Sequence, residues 1–161
     1  MANIRKINQI LSEKEKFYLQ GRIETLYENK TVLEKDPNFT EKQIKDIVNF
    51  LEDYVQYDVV VDSLELAHQE VKEKRYQAKI KYESASNRKE ADKYLDEWID
   101  LTKKMKNLKA EFEHYEKIRV SKEDKMLEYD GMVCDALERA KNREKGRDDN
   151  TPARPNNNRK R

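Results

Sequence analysis

The apolar positions in the second half of the chain keep one three-four rhythm. Starting at Ala91, the steps are Tyr94, Trp98, Leu101, Met105, Leu108, Phe112, Tyr115, Arg119, Lys122, Met126, Tyr129, Val133, Ala136 and Ala140. Only Arg119 and Lys122 break the apolar or aromatic character, and they are adjacent steps. That spacing puts one stripe on one face of a helix and turns it towards a partner helix. A helix of this length would be roughly 75 Å long. Ser121 and Asp124, beside the polar step, offer N-cap side chains. The stretch therefore reads either as one helix with a polar layer or as two helices, about 90–119 and 122–145. Gly131 costs about 1 kcal/mol against alanine inside a helix and softens the far end. On this pattern the aromatic half, with the packing residues Trp98, Leu101, Met105, Leu108, Phe112 and Tyr115, holds the bundle together. The thinner half from Met126 to Ala140 is expected to carry the C-terminal tail outward or to meet another chain.

Upstream, the pattern predicts two further long helices. Ile4, Ile7, Ile10 and Leu11 suit a helical turn or two. Ser12 with Glu15 is spaced as a capping box, and a helix over about 13–35 follows, with Leu19, Ile23, Leu26 and Leu33 as its stripe, widened by Phe17, Tyr27 and Val32. Asp36-Pro37 stops it, because proline disfavours helix in the residue before it and has no N–H to donate. Thr40 and Gln43 form a second capping box, flanked by Phe39 and Ile44 at the staple positions. The helix that starts there runs over about 41–85. Its apolar residues between Ile44 and Tyr57 cover more than one stripe, so it should be the most enclosed helix. Val59-Val60-Val61 has low helix propensity and suits a kink or a short strand. With no second strand signal to pair with, continued helix is the better expectation. Beyond Leu64 the stripe thins to Ala67, Val71, Ala78 and Ala85. Its phase breaks at Ser84–Arg88, where a stutter and an antiparallel turn fit equally, and Asn87 with Glu90 is placed to cap a new helix.

Composition narrows the fold class. Charged residues make up 42% of the 161 residues, with three glycines and three prolines. Few turn residues and many charges mean long helices with narrow apolar faces. The expected fold is all-α: an elongated helical bundle or coiled coil of three to five long helices over 1–146, with a disordered basic tail over 147–161. Net charge is +1, from 34 basic and 33 acidic residues, so no global field favours nucleic acid or an anionic membrane. Cys134 is the sole cysteine, no apolar run approaches a membrane span, and the first sixteen residues are too charged for a secretory signal. A soluble, cytoplasmic protein is expected, possible virus association included.

Candidate chemistry is sparse. Glycines at 21, 131 and 146 cannot build a phosphate loop, and neither His68 nor His114 has the neighbours of a catalytic centre, so no enzyme, cofactor or metal is expected. Glu65-x-x-His68 and Glu111-x-x-His114 have the spacing of di-iron bundle ligands, but they lie off the core line, and a solvated helix face is the better reading. Tyr94, Trp98, Phe112, Tyr115 and Tyr129 have a base-stacking chemistry, yet their heptad spacing marks them as core. Cys134, beside Val133, reads as a small apolar residue. From Asn150 on the tail carries Arg154, Arg159, Lys160 and Arg161 and no acid, a pattern suited to phosphates or an acidic protein surface.

The leading expectation is a non-enzymatic structural or adaptor protein that self-associates or docks partners through helical faces. A nucleic-acid accessory role is the alternative. It would use Lys72, Lys74, Lys79 and Lys81 on one helix and Lys103, Lys104, Lys106 and Lys109 on another. Residues 127–143 (LEYDGMVCDALERAKNR), following lysine-rich helices, resemble the C-terminal helix of phage recombination mediators. This resemblance covers under a fifth of the chain and implies a helical oligomer that binds single strands. A viral assembly or scaffolding factor would use the same features, with the tail on an acidic shell.

Overall fold

The structure is a computed structural model that describes residues 4–149. Those residues form four helices: α1 (Ile4–Ile10), α2 (Glu13–Glu34), α3 (Glu41–Glu83) and α4 (Arg88–Asp149). No strand occurs among them. Both expected capping boxes form. Ser12 Oγ accepts the Glu15 N–H at 3.2 Å while Glu15 accepts the Ser12 N–H at 2.9 Å. Thr40 and Gln43 exchange the same pair of bonds at 3.1 and 2.8 Å. The α2 helix ends at Glu34, where Asp36-Pro37 stops it.

The α3 and α4 helices form a long antiparallel hairpin. The ring pairs Phe50–Tyr129 and Tyr57–Tyr115 and the Arg75–Thr102 hydrogen bond fix its register: partners on α4 fall in number as those on α3 rise. Ser84–Asn87 is thus an antiparallel turn and not a stutter, and Asn87 Oδ1 caps α4 by accepting the Glu90 N–H at 2.9 Å. The α2 helix runs antiparallel to α3 on one side of the hairpin, through Arg22–Asp58 and Tyr27–Glu52. It stops short of the far half. The molecule therefore has a body in which α1 and α2 pack on the hairpin, and a two-helix arm made of residues 65–83 and about 88–108.

Two apolar clusters fill the body. One joins Leu26 and Leu33 to Ile44, Ile47, Val48, Leu51, Val133 and Ala136. The other joins Ile7, Leu11 and Leu19 to Val59, Val60, Val61, Leu64 and Tyr115. Val59, Val60 and Val61 are all buried, and three successive helical residues span about 200° of the helix surface. The α3 helix is therefore enclosed nearly all round here, by α4, α2 and α1. The three valines sit in continuous helix because burial on every side outweighs their propensity cost of a few tenths of a kcal/mol each.

The sequence pattern needs three corrections. The division at Val120 does not exist: α4 is one helix through Arg119 and Lys122, and it continues past Gly146 to Asp149. The half from Met126 to Ala140 does not project outward. Val133 and Ala136 are 3% and 0% exposed, because α2 and the start of α3 pack here. The arm is instead made by the aromatic stretch from Tyr94 to Met105. Finally, Phe17 and Tyr27 do not widen the α2 core face: Phe17 is 78% exposed and Tyr27 44%.

Candidate functional site

Charged side chains cross the body between its two apolar clusters. Asp58 of α3 takes Arg22 of α2 at 2.7 Å and Arg119 of α4 at 3.9 Å, so one carboxylate ties three helices. Arg119 also donates to the Tyr54 hydroxyl at 3.3 Å and to Glu123 at 3.4 Å. The Tyr54 bond raises the Arg119 guanidinium above its ordinary value, against the effect of burial. Lys122 meets Asp53 at 3.5 Å and lies over the Phe50 and Tyr57 rings. The two polar steps of the α4 stripe are thus seated on α3 carboxylates and aromatic rings. Their apolar stems stay in the interface and the charge is matched, which lets α4 run through unbroken. Nearby, burial first and Asp58 second push the Asp62 carboxyl up.

The arm carries the more open surface. All fifteen positions of the α4 line are buried or half-buried, including Trp98, Leu101, Met105, Leu108, Phe112 and Tyr115, so each faces α3 or the body. Phe112 and Leu108 pack against the body cluster that contains Tyr115. Trp98 lies under the Arg75 guanidinium at 5.0 Å, and Tyr94 lies near Lys81 at 5.7 Å. These aromatics are packing residues with cationic covers, not free stacking platforms. Among the described residues of the arm only Val71 and Ala78 are buried. A groove between α3 and α4 follows. Lys72, Met105, Lys109 and Phe112 line it beside the acids Glu65, Glu113 and Glu116. Lys79, Tyr82, Leu95 and Trp98 line its continuation towards the turn.

Several sequence candidates separate in space. Glu65 and His68 line the groove, whereas Glu111 and His114 do not, and His114 stacks edge-on with Tyr115 at 5.1 Å. No cluster of three or more His, Cys, Asp or Glu side chains among the described residues is placed to hold a metal ion. Cys134 is exposed, because the α4 inward line passes through Val133 beside it. Arg154, Arg159, Lys160 and Arg161 lie outside the described residues. No helix among those described is long and apolar enough to cross a membrane. Sequence reading missed the groove and the outward face of α2. The thinning of the α3 stripe after Leu64 was the available signal, since a helix pair with few large apolar residues leaves its seam open.

Fold and surface together define an all-α bundle with a two-helix extension. Comparison with family models, with curated proteins and with solved structures finds no match to this chain.

Proposed function

We propose that this protein is a non-enzymatic helical adaptor that self-associates or docks partners through the faces of its long hairpin, with a basic tail for an acidic or phosphate-bearing surface. The observation that supports this most is the arm. The α3 and α4 helices run roughly 28 Å beyond the body, and along that length their shared groove has apolar and charged lining but no third helix among the described residues. A two-helix pair gains stability when a third element covers its seam. The test is cross-linking the full chain in its native extract. A stoichiometric protein partner, or a multimer of the chain itself, supports the reading. A chain recovered only as monomer, with no partner in constant ratio, overturns it.

A nucleic-acid accessory role is the second reading. It draws on the acid-free run between Thr102 and Ala110, which carries Lys103, Lys104, Lys106 and Lys109, and on Lys72, Arg75 and Lys79 across the arm. Phosphate binding through these groups would weaken steeply with salt. Titration of a single-stranded oligonucleotide at low and high ionic strength checks it. A scaffolding role in a viral shell would use the same surfaces.

A further inference from the structure

The groove on the arm is the seat of α2, continued. On α3 the body positions that face α2 include Val55 and Asp58. Three-four steps from them reach Asp62, Glu65, Gln69 and Lys72, so the seam runs into the arm without changing face. On α4 the steps from Met126 through Arg119 reach Phe112 and Met105 in the same way. In the body α2 fills this seam with Leu19, Leu26 and Leu33. In the arm the seam continues over residues 65–83, roughly 28 Å. The α2 helix has 22 residues, roughly 33 Å. The open length matches one further copy of α2.

The outward face of α2 has the chemistry to fill it. Phe17, Gly21, Glu24 and Glu28 follow three-four steps on the side opposite Leu19, Leu26 and Leu33. Phe17 is the most exposed large apolar side chain of the described residues, at 78%. Gly21 has open space around it, which lets another helix approach closely. Glu24 and Glu28 are acidic, and along the arm the seam presents Lys72, Lys79 and Lys109 between its apolar floor residues. Its own acids stand at its two ends, Glu65, Glu113 and Glu116 beside the body and Glu83 beside the turn.

We propose that two copies of this chain associate antiparallel, each laying the outward face of its α2 into the arm seam of the other. The occupant of the seam is thus a second copy, and the proposal rests on the adaptor reading above. A two-fold axis at the junction of body and arm, near Glu65, makes both contacts at once, as an isologous interface requires. The two α2 helices then lie end to end in a central layer. Each is held by its own hairpin on one side and by its partner's arm on the other. Phe17 reaches the apolar floor at Met105 and Phe112, and Glu24 and Glu28 come over Lys72 and Lys79. The same residues that α2 turns to water in one copy are those the arm lacks.

The test uses full-length chains in sedimentation equilibrium and light scattering. The wild-type chain is expected to dimerise. The K72E/K79E variant and the E24K/E28K variant are each expected to weaken the dimer about tenfold or more, through like-charge contacts. An equimolar mixture of the two variants is expected to restore a one-to-one heterodimer, because both of its contacts then pair opposite charges. Circular dichroism confirms that each variant folds, as these side chains are exposed. A monomeric wild type at every concentration overturns this dimer, while recovery of a different partner still supports the adaptor reading. A dimer indifferent to both charge swaps, or variants that fold but fail to pair when mixed, places self-association on another face and equally overturns it.

Discussion

Arg139 on α4 grips Asp36, the residue at which α2 gives way to the loop before α3, across 103 positions of sequence. Its Nε donates to Asp36 Oδ2 at 3.0 Å and its Nη2 lies 2.9 Å from the same oxygen. The other carboxylate oxygen accepts the Asn38 N–H at 2.9 Å. The Asn38 bond, then Arg139, hold this carboxyl below its ordinary value, against the effect of burial. A depressed carboxyl contributes stability above its unfolded value of about 3.8 and loses it as pH falls through the folded value. Asp36→Asn is therefore expected to lower the melting temperature at neutral pH and to flatten the acid limb of the stability profile. Arg139→Ala should lower it as well, with the double variant losing less than the sum of the two. Thermal melts from neutral pH to below pH 3 check both expectations.

Asp58 serves two arginines, so its loss should exceed the loss of either partner. Asp58→Ala leaves Arg22 and Arg119 facing each other at partly buried positions and is expected to cost about 2 kcal/mol or more in urea unfolding. Arg22→Ala should cost less, because Arg119 still neutralises the carboxylate. Asp62 should behave in the opposite sense. Its raised carboxyl, pushed up by burial and then by Asp58, makes the ionised form a cost that grows as pH rises through its folded value. Asp62→Asn is expected to raise the neutral-pH melting temperature and to leave it unchanged in acid.

Amide exchange should divide the long helices at the body–arm junction. Residues 44–64 of α3 are packed by α2 and α4, and by α1 as well around residues 59–64, whereas the arm buries only Val71 and Ala78 among its described residues. Protection is expected to be high over 44–64 and 115–136 and lower over 67–83 and 90–107. Uniform protection along α3 at low protein concentration would contradict the division. Within the body, Ile47→Ala is expected to cost about 2–5 kcal/mol by opening a cavity among fully buried neighbours.

Gly131→Ala tests whether α4 is held as one helix at its far end. A Cβ at this position meets nothing within 4 Å, and the residue lies inside the helix. The substitution is expected to stabilise by about 0.5–1 kcal/mol, read as a shift of the urea midpoint. Destabilisation would mean that the surface beside Gly131 is occupied in solution.

By itself the sequence determined what is local. The capping pairs Ser12–Glu15 and Thr40–Gln43, the stop at Asp36-Pro37 and the fifteen-step line of α4 all rest on residues within a few positions of one another. Their physics is complete at that range. What the chain does at Arg119 and Lys122 was not legible, because the groups that seat them, Asp53, Tyr54 and Asp58, lie more than sixty residues away and a cationic step alone looks like a break. The turn at Ser84–Asn87 was ambiguous for a similar reason. Without glycine or proline, only the matching apolar faces of α3 and α4 decide for a hairpin over a stutter. Phe17 had the right neighbours for the α2 core face, yet Leu19, Leu26 and Leu33 already fill that seam, and packing turned Phe17 to the outside. Tertiary structure also decided which half of α4 is buried. The α2 helix spans only the body, so the apolar residues near Val133 and Ala136 are enclosed while the stretch from Tyr94 to Met105 of the same stripe forms the open arm.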